Sequence, residues 1–318
     1  MKTAGFLISR KENEKRRALL PKDLNKIRYK TNIFFEKGYG EVLGISDAEY
    51  LEAGANVCTR EEALTKDIIV DPKVGDAEYL WQLQKQTVFG WLHAVQNRHI
   101  TDALVERQLT AFAWEDMFYN NRHIFYRNNE LAGEAAIMHA FQFYGDMPYN
   151  LKVALLGRGN VASGALKILT LLGADVTVYS SKMEKLFQEE LPSYDVVVNA
   201  ILWNTDRKDH IIYREDLRRM KKGAMIIDIS CDACGGVESS MATTIENPVY
   251  TVDGILHYVV DHTPSIYYKT ATQTISEQVS QYMDELIEET HFSVLKSAMI
   301  IREGMILDQR IVRYQNRA

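Results

Sequence analysis

Between an apolar strand and a helix, the run VALLGRGNVASGAL sets Gly157, Gly159 and Ala162 at the spacing G-x-G-x-x-A. Each position meets a separate need of a bound dinucleotide. The first glycine turns the chain tightly, the second lets backbone approach a pyrophosphate, and the small third residue lets the helix lie close to its strand. The helix start then offers unpaired N–H donors and a partial positive charge to the phosphates. Arg158, Asn160 and Val161 complete the loop. Glycine-rich turns also arise for packing alone; the strand before this one and the helix behind it favour the nucleotide reading. About 20 positions on, a site for NAD usually presents a carboxylate to the ribose hydroxyls. This chain has Tyr179, Ser180, Ser181 and Lys182 there instead. Hydroxyls beside a cation suit a 2′-phosphate, and Arg158 adds a second positive charge. NADPH is therefore the expected cofactor and NADH the alternative, while plain solvated charge is the competing account of Arg158 and Lys182.

The elements that must position this loop follow from the apolar pattern. Short apolar runs at 2–8, 32–35, 67–70, 87–91 and 110–114 read as buried strands, with helical patterns near 21–29, 47–53, 76–85 and 101–108 between them. Alternating strands and helices imply a parallel sheet covered on both faces. A long helix over 129–144 ends near Gly145 and Pro148, and the alternation then restarts. Strands at 151–157, 175–180, 194–201 and 223–230 are followed by PVYTVD and HYVVD, and Ala200 and Ile201, at the end of one central strand, are expected to bind the cofactor. After Thr270 the pattern is helical through about Ile301. The expected class is α/β, with two doubly wound, Rossmann-like domains.

A chain of 318 residues with 46% apolar content can fill two cores. A formal charge of −6, with no dense basic block beyond the stretch from Arg10 to Arg17, argues against nucleic acid or an anionic membrane as partner. No apolar stretch of about 18 residues is present and the first residues do not form a signal peptide, so a cytoplasmic protein is expected. Cys58, Cys231 and Cys234 make an odd count that fits no disulfide framework, and no second ligand pair gives the C-x-x-C at 231–234 zinc-site spacing, so no metal is expected.

Separated motifs agree in order along nearly the whole chain: ENEKRRALLPKDL, KGYGEVLGISDAEYLEAGA, DIIVDPKV, VFGWLHA, NELAGEAA, the glycine loop, IIDISCDACGGVE, YVVDHTPS and EGMIL. In these the chain resembles the alanine dehydrogenase and pyridine nucleotide transhydrogenase family, and within it the carboxyethylornithine synthase branch. The resemblance implies a catalytic domain built from residues 1–128 plus 271–318, with a dinucleotide-binding domain, 129–270, inserted. It also implies condensation of pyruvate with an amine and reduction of the resulting imine, in a homo-oligomer.

It implies residue roles as well. Arg16 matches the family's substrate-carboxylate arginine, and a planar guanidinium fork holds a carboxylate with two hydrogen bonds. Without the resemblance Arg16 reads as part of a charged surface run, and its neighbour Arg17 is the register alternative. Lys73, beyond the strand at 67–70, matches a substrate-binding lysine that would polarise the keto carbonyl. His93 follows an apolar strand; such histidines are often satisfied core residues, but here the resemblance points to proton transfer. Asp232, past the strand at 223–230, would steady an iminium charge or deprotonate the amine, with Asp228 as the more structural neighbour. Glu115 and Glu130 match family acids that either bind the amine or cap helices. His262, Thr263 and Pro264 match a cofactor-facing turn, although the family usually has asparagine where His262 stands. The reaction expected is reduction by NADPH of the imine of pyruvate with the side-chain amine of ornithine or lysine. Alanine dehydrogenase, a saccharopine-type reaction and a non-catalytic NADPH-binding protein are the alternatives.

Overall fold

The computed structural model describes residues 1–204, 206–232, 234–290 and 292–317. In chain order its strands are β1 Ala4–Phe6, β2 Ile33–Glu36, β3 Asn56–Cys58, β4 Ile68–Val70, β5 Thr87–Gly90, β6 Thr110–Ala113, β7 Phe118–Tyr119, β8 Arg122–His123, β9 Lys152–Leu156, β10 Asp175–Tyr179, β11 Val196–Asn199, β12 Met225–Asp228, β13 Val249–Val252, β14 Ile255–Tyr258, β15 Met299–Arg302 and β16 Met305–Ile306. They fall into two compact units, one of residues 1–126 with 268–318 and the other of residues 127–267.

The first unit is built on a sheet of order β16-β15-β6-β5-β4-β1-β2-β3. β1 to β6 are mutually parallel, and the strand order reverses between β1 and β4. Strands buried on both faces must be continuously apolar, which is why β4 reads Ile-Ile-Val with every side chain covered. The carboxyl ends of β1, β4 and β5 open into the loops that carry Arg16, Lys73 and His93. A switch point of strand order leaves a crevice at those ends.

The second unit has the order β10-β9-β11-β12-β14-β13, parallel except for the β13 edge. Alternation along its central strands divides the core between two faces. Val153, Leu155, Val196 and Val198 pack on one side, and Ala154, Leu156 and Val197 on the other. Helix Tyr126–Tyr144 crosses helix Asn160–Leu171 at close range. A Cβ at Gly133 would lie 2.0 Å from the Val161 carbonyl oxygen, and one at Gly164 1.9 Å from that of Glu130.

Three local expectations are corrected. The run at 76–85 forms a 3-10 turn, Glu78–Gln82, preceded by another at Val74–Asp76, and within it the Tyr79 hydroxyl donates to Asp71. Asn56–Cys58 is an additional edge strand, too short and too weakly apolar to show a period. The C-terminal helix stops at Glu288, and after a short helix Ser293–Ala298 the chain forms the β15–β16 hairpin, which extends the first sheet antiparallel to β6. Glu303 and Gly304 both take positive φ, +48° and +81°, as a two-residue hairpin turn requires. That Glu-Gly pair between apolar runs was the available signal. No described helix is long and apolar enough to cross a membrane.

Candidate active site

In the first unit, the loops after β4 and β5 are stitched together. The Trp91 amide donates to the Pro72 carbonyl at 3.2 Å, and the Gly75 amide to the Trp91 carbonyl at 3.1 Å. Gly75 approaches so closely that a Cβ would meet the Leu92 carbonyl oxygen at 2.3 Å. This cross-link sets Lys73 and His93 in fixed relation.

Arg16 is almost fully buried, at 3% exposed. Its Nε donates to Glu14 Oε1 at 2.8 Å and a terminal nitrogen to Glu14 Oε2 at 2.6 Å, forming a two-pronged pair. The guanidinium also lies 4.8 Å from the Trp91 ring centre, a cation–π contact. Trp91 in turn packs edge-on against Trp114, which stacks on Phe125. Burial pushes the Glu14 carboxyl up, but the charge and hydrogen bonds of Arg16, helped by the charge of Lys73, bring it below its ordinary value. Arg17 turns elsewhere: its Nε donates to the Tyr39 carbonyl, and its amide to Thr272.

Lys73 is equally buried, with Nζ 3.5 Å from Asp76 Oδ2. Asp71 anchors its loop by accepting the Lys73 amide at 2.8 Å and the Tyr79 hydroxyl at 2.9 Å. Full burial pushes the Asp71 carboxyl up to about 6 against the pull of those donors. The cradle is thus not simply basic, since Glu14, Asp71 and Asp76 surround its cations.

His93 is exposed and takes φ +51°. Glu115 lies beneath that loop and accepts the His93 amide at 2.6 Å and the Leu92 amide at 3.2 Å. Burial pushes the Glu115 carboxyl up to about 7, although both amides pull it down. Glu130 forms an ion pair with Arg127 on its own helix.

In the second unit, Gly157 takes φ +113°, and a Cβ there would lie 2.6 Å from the Ala200 carbonyl oxygen. The loop therefore abuts the end of β11 where the strand order reverses, bringing Ala200 and Ile201 beside it. Gly159 is the residue before helix Asn160–Leu171, with no side-chain cap and nothing within 4 Å of the position a Cβ would take. Open space over uncapped helix amides fits a pyrophosphate. Ala162 is buried under the loop, while Arg158 is exposed. Past β10, Tyr179 belongs to the core, its hydroxyl meeting Glu190 and Tyr194. Ser180 is half-buried, and Ser181 and Lys182 are exposed in the following turn.

Asp228 is buried and organises the chain after β12. It accepts from Asn199 Nδ2 at 2.9 Å, from the Ser230 amide at 3.1 Å and from Ser240 Oγ at 2.5 Å. Asp232 lies further along that loop, its carboxyl pushed up to about 7 by burial and by the neighbouring Asp228 charge. His262, Thr263 and Pro264 are all buried. His262 Nδ1 is 2.5 Å from Asp261 Oδ1, and the Thr263 hydroxyl donates to the Ala132 carbonyl at 2.9 Å.

The residues that sequence reasoning missed are Glu14, Asp71 and Trp91. Glu14 lies in a run of charges that reads as surface, and nothing local marks its burial. An acid two positions before the arginine was the one available hint.

A parallel-sheet unit with acid–base groups at its strand ends, and a second unit with an open glycine loop, define a pyridine-nucleotide-dependent oxidoreductase. The chain belongs to the alanine dehydrogenase/PNT family: residues 8–124 match the model of its N-terminal domain and residues 179–315 that of its C-terminal domain. Residues 115–234 also match the NAD-binding domain of D-isomer specific 2-hydroxyacid dehydrogenases. The N(5)-(carboxyethyl)ornithine synthase of Clostridium botulinum is 33% identical over 88% of this chain and 93% of its own length. Alanine dehydrogenase 1 of Staphylococcus aureus is 27% identical over 97% and 94%. A solved L-alanine dehydrogenase superposes with a TM-score of 0.83 at 21% identity, covering 99% of both chains. The alanine dehydrogenase and opine-type homologues in this family are oxidoreductases acting on CH–NH groups.

Proposed function

We propose that the protein joins pyruvate to the side-chain amine of ornithine or lysine and reduces the imine with NADPH. The observation that carries this reading is the 33% identity to a carboxyethylornithine synthase across 93% of that enzyme. Arg16, already oriented by Glu14 and Trp91, holds the keto-acid carboxylate, and Lys73 polarises the ketone. The amine nitrogen attacks the carbonyl carbon, and its surplus proton passes by way of Asp232 to the carbonyl oxygen, which becomes a hydroxyl and leaves Asp232 charged. His93 then protonates the hydroxyl, which leaves as water, and the C=N bond forms. Asp232 steadies the cationic imine. The nucleotide, when bound, supplies the hydride that reduces it. Gly157, Gly159 and the amides of Asn160, Val161 and Ala162 hold the pyrophosphate, with Ala200 and Ile201 beside them and His262, Thr263 and Pro264 shaping the nicotinamide side.

Oxidation of NADPH followed with pyruvate plus ornithine, lysine or ammonia in turn tests the reading. Turnover with a diamino acid and none with ammonia is expected. Turnover with ammonia alone would establish alanine dehydrogenase activity, the reading favoured by the full-length likeness to the Staphylococcus aureus protein. Binding of NADPH with no keto-acid-dependent turnover would leave only a nucleotide-binding role.

Two predictions follow from the charges. With Ser180, Ser181, Lys182 and Arg158 read as partners of a 2′-phosphate, Lys182→Asp should weaken NADPH binding roughly tenfold, about 1.4 kcal/mol, with little loss for NADH. Calorimetry on both nucleotides checks this, and a wild-type preference for NADH would reverse the assignment. Because its carboxyl is pushed up to about 7, Asp232 is neutral below that pH and charged above it. The rate should therefore rise with pH through about 7, and Asp232→Asn should abolish that limb. An identical limb in the variant would assign it to the amine substrate instead.

A further inference from the structure

β5 and β6 run parallel in a register that pairs Gly90 with Ala113. Beyond Gly90 the chain leaves the ladder, and the next residue, Trp91, is tied to the loop after β4. The amides of Leu92 and His93 turn the other way. They are received by Glu115, which stands just beyond β6 in the 3-10 turn Trp114–Asp116. The carboxylate reaches back under the loop, Oε1 accepting from His93 at 2.6 Å and Oε2 from Leu92 at 3.2 Å. His93 takes a left-handed backbone at φ +51°, which a side chain with a Cβ adopts only when its surroundings hold it there. Its carbonyl meanwhile accepts the Asn97 amide at 3.2 Å, fixing the peptide on the other side.

From this geometry we infer that Glu115 is the positioning residue of His93: its carboxylate clamps two successive amides and so presents the imidazole at one orientation. The sequence resemblance offers Glu115 as a ligand for the amine substrate or as a helix cap; its oxygens accept from the main-chain donors of Leu92 and His93. One side chain accepting from two successive amides restrains the backbone of both residues at once. The inference rests on the proton-transfer role proposed for His93.

The test has two arms. In the first, amide hydrogen exchange is measured on the full chain. Glu115→Ala should speed exchange at Leu92 and His93 by about tenfold or more, while Val88, Phe89 and Ala111 within the strands keep their protection. In the second, Glu115→Ala should lower kcat roughly 10- to 100-fold with KM for pyruvate nearly unchanged. Added to His93→Ala, it should lower kcat no further, since both changes remove the same contribution. Glu115→Gln, which keeps one acceptor, should fall between and guards against simple misfolding. Multiplying losses in the double variant, or unchanged exchange at Leu92 and His93, would overturn the inference. Should His93→Ala alone leave kcat intact, the proton-transfer reading fails, and the exchange arm by itself still decides whether the clamp exists.

Discussion

Replacing His93 by alanine is expected to lower kcat by roughly 100- to 10,000-fold, the range over which a positioned acid–base group acts. KM for pyruvate should change only a few-fold. The division follows from the structure: His93 follows β5, whereas Arg16 and Lys73 lie after β1 and β4 and have their own restraints in Glu14, Trp91, Asp71 and Asp76. Removing the imidazole leaves those contacts in place, so binding persists while the proton step is lost. The exposure of His93 adds a stringent check, because free imidazole should reach the vacated position and restore part of the rate. Steady-state kinetics with and without added imidazole measure both effects. A variant turning over within about twofold of the parent would remove His93 from the mechanism.

Arg16→Ala should damage the protein in two separable ways. Glu14 would be left as a buried carboxylate without its partner, which costs about 3–5 kcal/mol of stability in comparable pairs. Activity with pyruvate should also vanish, since the neighbouring guanidinium, that of Arg17, is committed to the Tyr39 carbonyl. Adding Glu14→Leu to Arg16→Met removes both charges, and stability should largely return while activity does not. The loss also depends on pH. Glu14 titrates below its ordinary value of 4.5 because the Arg16 interactions outweigh the burial penalty. The pair's contribution is therefore present above that ordinary value and is lost as pH falls through the lowered one. Arg16→Ala and the parent should converge in strongly acidic buffer. Denaturant titrations at neutral and acidic pH read this, and equal stability of Arg16→Ala and the double variant at neutral pH would show that an unpartnered Glu14 costs nothing.

The glycine loop and the central strands could be read before the fold was known, and the reason is visible residue by residue. The turn at Gly157 and the open approach at Gly159 are local requirements, so glycine at that spacing announces them. The absence of a carboxylate after β10 is equally local. Strands buried on two faces betray themselves as apolar runs, which is why β4, β9, β11 and β12 stood out. The β15–β16 hairpin did not, because its apolar run follows a long amphipathic helix and suits either period.

By itself the amino-acid order determined where strands alternate with helices, where a nucleotide loop turns, and which family motifs the chain carries. The tertiary structure alone decided that Glu14 is buried against Arg16, that Trp91 lies beneath that guanidinium, and that Glu115 reaches back to the amides of the His93 loop. These partners are set by which strands become neighbours, and Glu115 stands 22 positions from His93 until β5 and β6 pair. A periodicity or a spacing reports how a segment relates to its own near neighbours. Burial, charge pairing and the proton affinity of a carboxyl depend on groups that only folding brings close.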